Sequence, residues 1–377
     1  MNLNSFDPKN KDHLSEISKI EKIIKNSIKK TELDLSGLTI LTEAATGYWA
    51  FTPIIASMAN AQEVICKVKD TKFGKSQDII KNYKKLLKYF KLESKVNIFD
   101  QLEPSIISKA DIVTNSGNLR PITNNFISKM KETSVISLMW EPWEYRKSDF
   151  NLKYCIKNNV TVIGVNEDNS VLNVMKYDGQ LIQKILQINN LDTKNMNILL
   201  IGENKSAFYM IKPLEKMCST LYCLSSKLSK ELKSFGAKNT FDSFSKIIKF
   251  LPTIDLIIIN SHPISQPIIG KKGFITAKKL KKLNPHIRVL VFFGDVDFSD
   301  LDENEIVCFP NKKPQPEHMS WTSDILGPKP VLELNTIGIK AGEIVSRYRK
   351  QGKSMNDSIK LALKSPFCLD FSINQKF

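Results

Sequence analysis

Short apolar, β-branched runs alternate with longer stretches of helical period almost from end to end of the chain. Residues 38–42, 63–68, 95–99, 111–114, 134–139 and 161–165 read as strands, with helix-period segments around 48–60, 75–91, 122–131 and 149–158. A second set follows residue 170, with strands at 197–201, 220–224, 255–259, 288–292 and 305–309. Its helices fall near 204–217, 227–235, 243–250 and 275–283. Ile17, Ile20, Ile23, Ile24 and Ile28 recur at helical spacing and predict an amphipathic helix near the start. Residues 170–188 read as one long helix, and a last helical region is expected from about 335 to 363, behind Pro310, Pro314, Pro316, Pro328 and Pro330.

The strand segments centre on short apolar runs and show no strict alternation, which is the pattern of strands covered on both faces. With a helix after nearly every strand, the fold class is α/β, with parallel sheets. At 377 residues the chain suits two domains better than one. The expectation is two Rossmann-like, doubly wound parallel-sheet lobes with a cleft between them, joined by long crossover helices. Ligands of such sheets bind where strands end and helices begin, so those loops are where chemistry is sought.

Composition narrows the class. Hydrophobic residues at 42% and charged ones at 25% exclude wholesale disorder. No apolar run approaches the ~20 residues of a membrane span, and residues 1–16 are polar with no hydrophobic signal core. The six cysteines (66, 155, 218, 223, 308 and 368) form no C-x-x-C pair and read as small core residues of a reducing, cytoplasmic protein. No metal site is expected. Lys+Arg 55 against Asp+Glu 39 gives +16, yet only five of the basic residues are arginine. The lysines accompany many Asn and Ile, as AT-rich coding does, and they sit at solvated helix positions without interleaved aromatics. A basic surface that attracts small anionic metabolites is favoured over nucleic-acid binding.

Four loops carry candidate chemistry. In TEAATGYWAFTP (42–53), Thr46 and Gly47 follow a strand and open a helix whose amides could receive an anion, or else form a tight turn with Tyr48, Trp49 and Phe51 in the core. In TNSGNLRP (114–121), Asn115, Ser116 and Gly117 end a strand and Arg120 offers a guanidinium fork to a carboxylate or phosphate, or else to a structural salt bridge. In MWEPWEYR (139–146), Glu141 and Arg146 are candidate substrate ligands, with an Arg146–Glu144 pair as the alternative. Of four histidines, His262 and His318 lie in loops expected to face the cleft, and Glu317 is a candidate orienting partner for His318.

The nucleotide signal is partial. ILLIGENKSAF (198–208) has the strand and helix of a βαβ unit but only Gly202 of three expected glycines, with Glu203, Asn204 and Ala207 at positions normally rich in glycine. At the end of the next strand Ser225, Ser226 and Lys227 stand where an NAD site usually offers an acid, so NADP is the preferred cofactor over NAD if a dinucleotide binds.

The order of pieces resembles the superfamily of D-2-hydroxyacid dehydrogenases, formate/glycerate dehydrogenases and adenosylhomocysteinase. NNVTVIGVNEDNSVLNVMKYDGQLI (158–182) is similar to the crossover strand and helix. LIIINSHPIS (256–265), with Ser261, His262 and Pro263, is similar to the loop that passes over the cofactor ribose. RVLVFFGDVDFSDL (288–301) resembles the next strand and turn, and PEHMSWTS (316–323) the catalytic-histidine segment. Gly294 and Asp295 stand where dehydrogenases carry an arginine. The resemblance implies a substrate domain of flavodoxin-like type from 1–168 plus 335–377, and a nucleotide-binding Rossmann-like domain at 169–334. It further implies an NAD(P)-dependent oxidoreductase of a small anionic hydroxy or keto acid, with His318 as general acid/base, Arg120 on the carboxylate, and a homodimer. Two alternatives stay open: a nicotinamide-assisted hydrolase or lyase of the adenosylhomocysteinase type, and a non-redox binding or scaffold protein with a degenerate dinucleotide site.

Overall fold

The computed structural model describes residues 6–262, 266–314 and 318–371. Its strands, in chain order, are β1 (Thr39–Glu43), β2 (Glu63–Lys67), β3 (Val96–Phe99), β4 (Ile112–Thr114), β5 (Val135–Ser137), β6 (Thr161–Val165), β7 (Asn197–Gly202), β8 (Thr220–Leu224), β9 (Asn239–Phe241), β10 (Leu256–Asn260), β11 (Arg288–Phe293), β12 (Val307–Phe309) and β13 (Cys368–Leu369). The chain divides after Val174 and again after Leu326 into a discontinuous first unit and a continuous second one, Met175–Leu326.

In the first unit the strand order is β13-β6-β5-β4-β1-β2-β3. All neighbours are parallel except β13, which runs antiparallel to β6 at the edge. Counted along the chain this is the 3-2-1-4-5-6 order of a Rossmann sheet, and it corrects the flavodoxin-like expectation, whose order is 2-1-3-4-5. The difference arises because the chain adds both β2 and β3 outward on one side before it returns across β1 to β4. β1 and β6 are buried along their whole length, as strands covered on both faces are.

The helix Pro328–Lys350 belongs to this first unit and packs on β4, β5 and β6. It begins well before residue 335, because Pro328 and Pro330 fall in its first turn, where a missing N–H removes no helical hydrogen bond. Two small positions let it lie close to the sheet. A Cβ at Gly338 would stand 2.8 Å from the Met139 side chain, and one at Gly342 2.8 Å from Ile112. Ser137 Oγ donates to Gly338 O at 2.6 Å.

The long helix expected at 170–188 starts only at Tyr177. Asn169 is the reason. Its Oδ1 accepts from Val171 N and Leu172 N at 3.0 and 2.8 Å, and its Nδ2 donates to Asn166 O at 2.8 Å. A side chain that satisfies local backbone in this way holds a turn and competes with helix.

The second unit has the order β12-β11-β10-β7-β8-β9, all parallel, which is again 3-2-1-4-5-6. Both sheets therefore have the doubly wound, Rossmann-like form expected from the sequence. The short β9 and β13 leave no mark in the hydrophobic pattern, since three half-buried residues and a two-residue antiparallel pair carry no apolar run. Burial pushes the thiols of Cys155, Cys223, Cys308 and Cys368 up to about 12 and that of Cys218 to about 11, so none of them is an activated nucleophile. Among the described residues no helix is long and apolar enough to cross a membrane.

Candidate functional site

Strand order reverses between β1 and β4 in the first unit, and this is where a doubly wound sheet opens a crevice beyond its strand ends. Hydroxyls line it: Thr114 Oγ1 donates to buried Thr42 Oγ1 at 2.9 Å and lies 2.6 Å from Ser116 Oγ. Glu43, the last residue of β1, turns a buried carboxylate onto the loop that follows β4. Its Oε2 accepts from Asn118 N at 2.7 Å, while Asn118 Nδ2 donates to Ala44 O at 2.9 Å. Gly117 is held against the same carboxylate, since a Cβ there would lie 3.4 Å from Glu43 Oε2 and 3.7 Å from Arg120 NH2. Thr46 and Gly47 lie on the turn that continues from Glu43, and Gly47 takes φ +60°, a backbone suited to glycine. The turn opens into a 3-10 helix, Gly47–Phe51, in which Phe51 is fully buried and Tyr48 and Trp49 half-buried.

Beside this lies a cluster of six side chains. Arg120 and Arg146 both approach the carboxylate of Asp149, at 3.5 and 3.8 Å, and both stack over the Trp140 ring, at 5.0 and 5.7 Å from its centre. Asn115 Nδ2 donates to Asp149 Oδ2 at 3.1 Å, and Lys69 Nζ donates to Arg120 O at 2.9 Å. A guanidinium carries five N–H groups, so two of them on one carboxylate bring more donors than that carboxylate accepts. Asn115 Oδ1 and Trp140 Nε1 are buried without a hydrogen-bond partner. The cluster can hold an anion and offers it further polar contacts. Glu141, buried, accepts from the indole of Trp143.

The structure thus brings Arg120, Arg146 and Asn115 together, sets Ser116 on Thr114, and holds Gly117 and Asn118 against Glu43. Asp149, Trp140 and Glu43 are not among the residues that the sequence singles out. Glu43 left a signal, a carboxylate at the end of an otherwise uncharged strand run, whereas nothing local marked Asp149 as the shared partner of two arginines.

Desolvation by burial holds the Glu43 carboxyl above the usual carboxylate range, against the pull of the Asn118 N–H and the nearby Arg120. A raised acid pKa favours the folded state most where the group is protonated in both states. That stability is present below the unfolded value of 4.5 and is lost as pH rises through the folded value. Glu43→Gln, which cannot ionise, is expected to lose less stability than the natural protein between about pH 4.5 and 7, read by urea unfolding at several pH values. An equal loss in both proteins would refute the assignment.

In the second unit the reversal falls between β7 and β10. Gly202 ends β7, and a Cβ there would stand 2.5 Å from Ala207 Cβ, so the strand and the helix Ser206–Met217 meet at a distance only glycine permits. This is the packing role of a dinucleotide loop, filled by Gly202 and Ala207. Gly202→Ala is expected to cost about 1–3 kcal/mol of unfolding free energy, read as a lower urea midpoint. An unchanged midpoint would show that the helix yields freely.

Asn204, at the central glycine position, folds its side chain inward: Nδ2 donates to Asn260 Oδ1 at 2.9 Å and to His262 O at 3.1 Å, and Oδ1 accepts from Ser206 N at 3.1 Å. Asn260 Nδ2 closes the network on Ser206 Oγ at 2.7 Å. Glu203 reaches across to the end of β8. Its carboxylate accepts from Ser226 N at 2.7 Å, Ser225 Oγ at 3.0 Å and Ser226 Oγ at 3.2 Å. The expectation that no acid stands there is corrected: the acid comes from the loop after β7, and it takes the serine donors on which, together with Lys227, the preference for NADP rested. The Lys227 N–H turns back on Ser225 Oγ at 3.3 Å.

His262 follows β10, and the segment after His318 is pinned to the carboxyl end of β11. His262 stacks on Phe293, ring centres 4.3 Å apart. Buried Ser261 donates its N–H to Phe293 O at 2.7 Å, and a Cβ at Gly294 would stand 2.3 Å from its hydroxyl. Half-buried His318 precedes a segment pinned to β11, where Ser320 N donates to Phe292 O and Trp321 Nε1 to Val291 O, each at 3.2 Å. Pro263 and Glu317 lie outside the described residues.

No family model matches the chain, and neither does any curated protein. Solved structures do. A dipicolinate synthase chain from Bacillus halodurans is similar at TM-score 0.52 and 12% identity, over 84% of this chain and 99% of that one. The corresponding dipicolinate synthase chain from Bacillus subtilis gives 0.51 and 11%, over 85% and 100%. The pyruvate reductase of Chlamydomonas reinhardtii gives 0.50 and 9%, over 85% and 98%. At such identities the likeness is one of fold alone, and the shared fold is the α/β one expected from the sequence.

Proposed function

We propose that the chain is a nicotinamide-dinucleotide-dependent oxidoreductase that acts on a small anionic hydroxy or keto acid. The observation that carries this reading is the second unit's switch point. There a 3-2-1-4-5-6 parallel sheet meets a Gly202–Ala207 contact of the kind a dinucleotide loop needs. The residues present fit the group: Gly202 and Ala207 bring the helix close, Asn204 tucks its side chain inward, and Glu203 offers a carboxylate at the end of β8. The fold likeness to a pyruvate reductase, a keto-acid enzyme by name, supports the same class.

When bound, the nicotinamide would supply or accept the hydride. The chain's residues do the rest. Arg120, with Arg146 beside it, would hold the substrate carboxylate, with Asn115, Ser116 and Gly117 lining the approach and Thr46, Gly47 and Glu141 at its margin. His318 would give a proton to the carbonyl oxygen in reduction and take it back from the hydroxyl in oxidation. Ser261 and His262 would line the cofactor.

The test is direct. Protein purified from its host is examined for bound nicotinamide nucleotide, and NADH consumption at 340 nm is followed with a panel of small 2-keto acids. Bound nucleotide together with turnover of any panel member supports the reading. Failure to bind either nucleotide form would favour a non-redox binding protein, in which the Asn204–Asn260 network simply closes the loop.

A further inference from the structure

We infer that Glu203 fixes the form of the cofactor, admitting NAD and NADH and rejecting their 2′-phosphorylated counterparts. This rests on the nicotinamide reading above and sharpens it. The donors at the end of β8 converge on one carboxylate. Ser226 N, Ser225 Oγ and Ser226 Oγ all donate to Glu203, while Ser225 Oγ is itself fixed by the N–H groups of Lys227 and Leu228, at 3.3 and 2.9 Å. A 2′-phosphate is an acceptor and would need these same donors, yet they are spent on an anion already in place. A ribose diol brings donors instead, and the carboxylate oxygens retain lone pairs to receive them.

Lys227 is the opposing charge, and its position decides the balance. It is exposed, whereas Glu203 is only 9% exposed. A charge near solvent is screened more strongly than one in the lower-dielectric interior, so the carboxylate should outweigh the ammonium at close range. The carboxylate is also held by three protein donors, so it cannot swing away from an incoming phosphate without leaving those groups unpaired. The acid reaches the ribose position from the loop after β7, and this is why the residues at the end of β8, taken alone, point to the opposite preference.

The experiment is a titration of the full-length protein with NADH and with NADPH, followed by nucleotide fluorescence, on the natural chain and on Glu203→Gln. The natural protein is expected to bind NADH about tenfold or more tighter than NADPH. Glu203→Gln should narrow that ratio by at least several-fold, chiefly through tighter NADPH binding. Equal or tighter NADPH binding by the natural protein overturns the inference and leaves the oxidoreductase reading standing; this arm needs no variant to fold. A ratio unchanged in a folded Glu203→Gln protein likewise overturns it. Binding of neither nucleotide to the natural protein overturns the nicotinamide reading and this inference with it.

Discussion

Replacing His318 by glutamine is expected to lower turnover by about 10²–10⁴-fold, the usual contribution of a positioned general acid/base, with little change in the thermal midpoint. The segment that carries His318 is anchored without the imidazole. Ser320 N and Trp321 Nε1 bond to the carbonyls of Phe292 and Val291, and these contacts persist in the variant. Glutamine keeps much of the volume and a hydrogen-bonding tip but cannot exchange a proton near neutral pH. On the proposed reading, the natural protein should therefore show a limb in its pH–rate profile that the variant lacks. The measurement is kcat against pH for both proteins, with a melting curve for each. Unchanged turnover removes His318 from the chemistry, and a large fall in midpoint with proportional loss of active protein would reassign it to structure. His262, stacked flat on Phe293, is then the next candidate at the same strand end.

The architecture was legible because strands covered on both faces cannot hide. β10 and β11 each carry at least four consecutive apolar residues and β1 and β6 are buried from end to end, with helix-period segments between most strands. What the sequence could not supply was strand order. The same alternation of β and α serves flavodoxin-like and Rossmann sheets, and only the pairing of β3 outside β2 settles the first unit as the latter. Local rules also misled where a side chain or a position overrode them. Asn169 delays the crossover helix, and Pro328 and Pro330 look like breakers but open a helix.

The sites show the same division. Arg120 could be singled out because arginine is scarce here and this one follows a strand. Its true partner, Asp149, is separated from it by a short helix, a strand and a 3-10 turn. Glu203, by its place in the loop, reads as a charge where glycine is the rule. Its side chain instead reaches the adjacent strand end, a tertiary fact that no spacing encodes. Propensity and period are local quantities, whereas the partner of a buried charge is chosen by the fold.

Arg120→Lys is expected to raise the substrate concentration needed for half-maximal rate by about 10–100-fold, the worth of one or two hydrogen bonds to a charged group, with a smaller effect on kcat. The guanidinium is only loosely committed to Asp149. That ion pair is long, at 3.5 Å, and Asp149 has Arg146 and Asn115 as further partners. Losing the fork therefore leaves no buried carboxylate stranded, and stability should change by less than about 1 kcal/mol, as for other weak ion pairs. An ammonium preserves the charge but offers no planar pair of N–H groups to a carboxylate, and it stacks less well on Trp140 than the guanidinium held 5.0 Å above that ring. Uniform loss of binding appears in KM, whereas loss of an interaction made only in the transition state appears in kcat. A variant that melts early with KM unchanged would make Arg120 a strut for the loop after β4. One that folds normally with both constants unchanged would move anion recognition to Arg146, which shares the same carboxylate and the same indole.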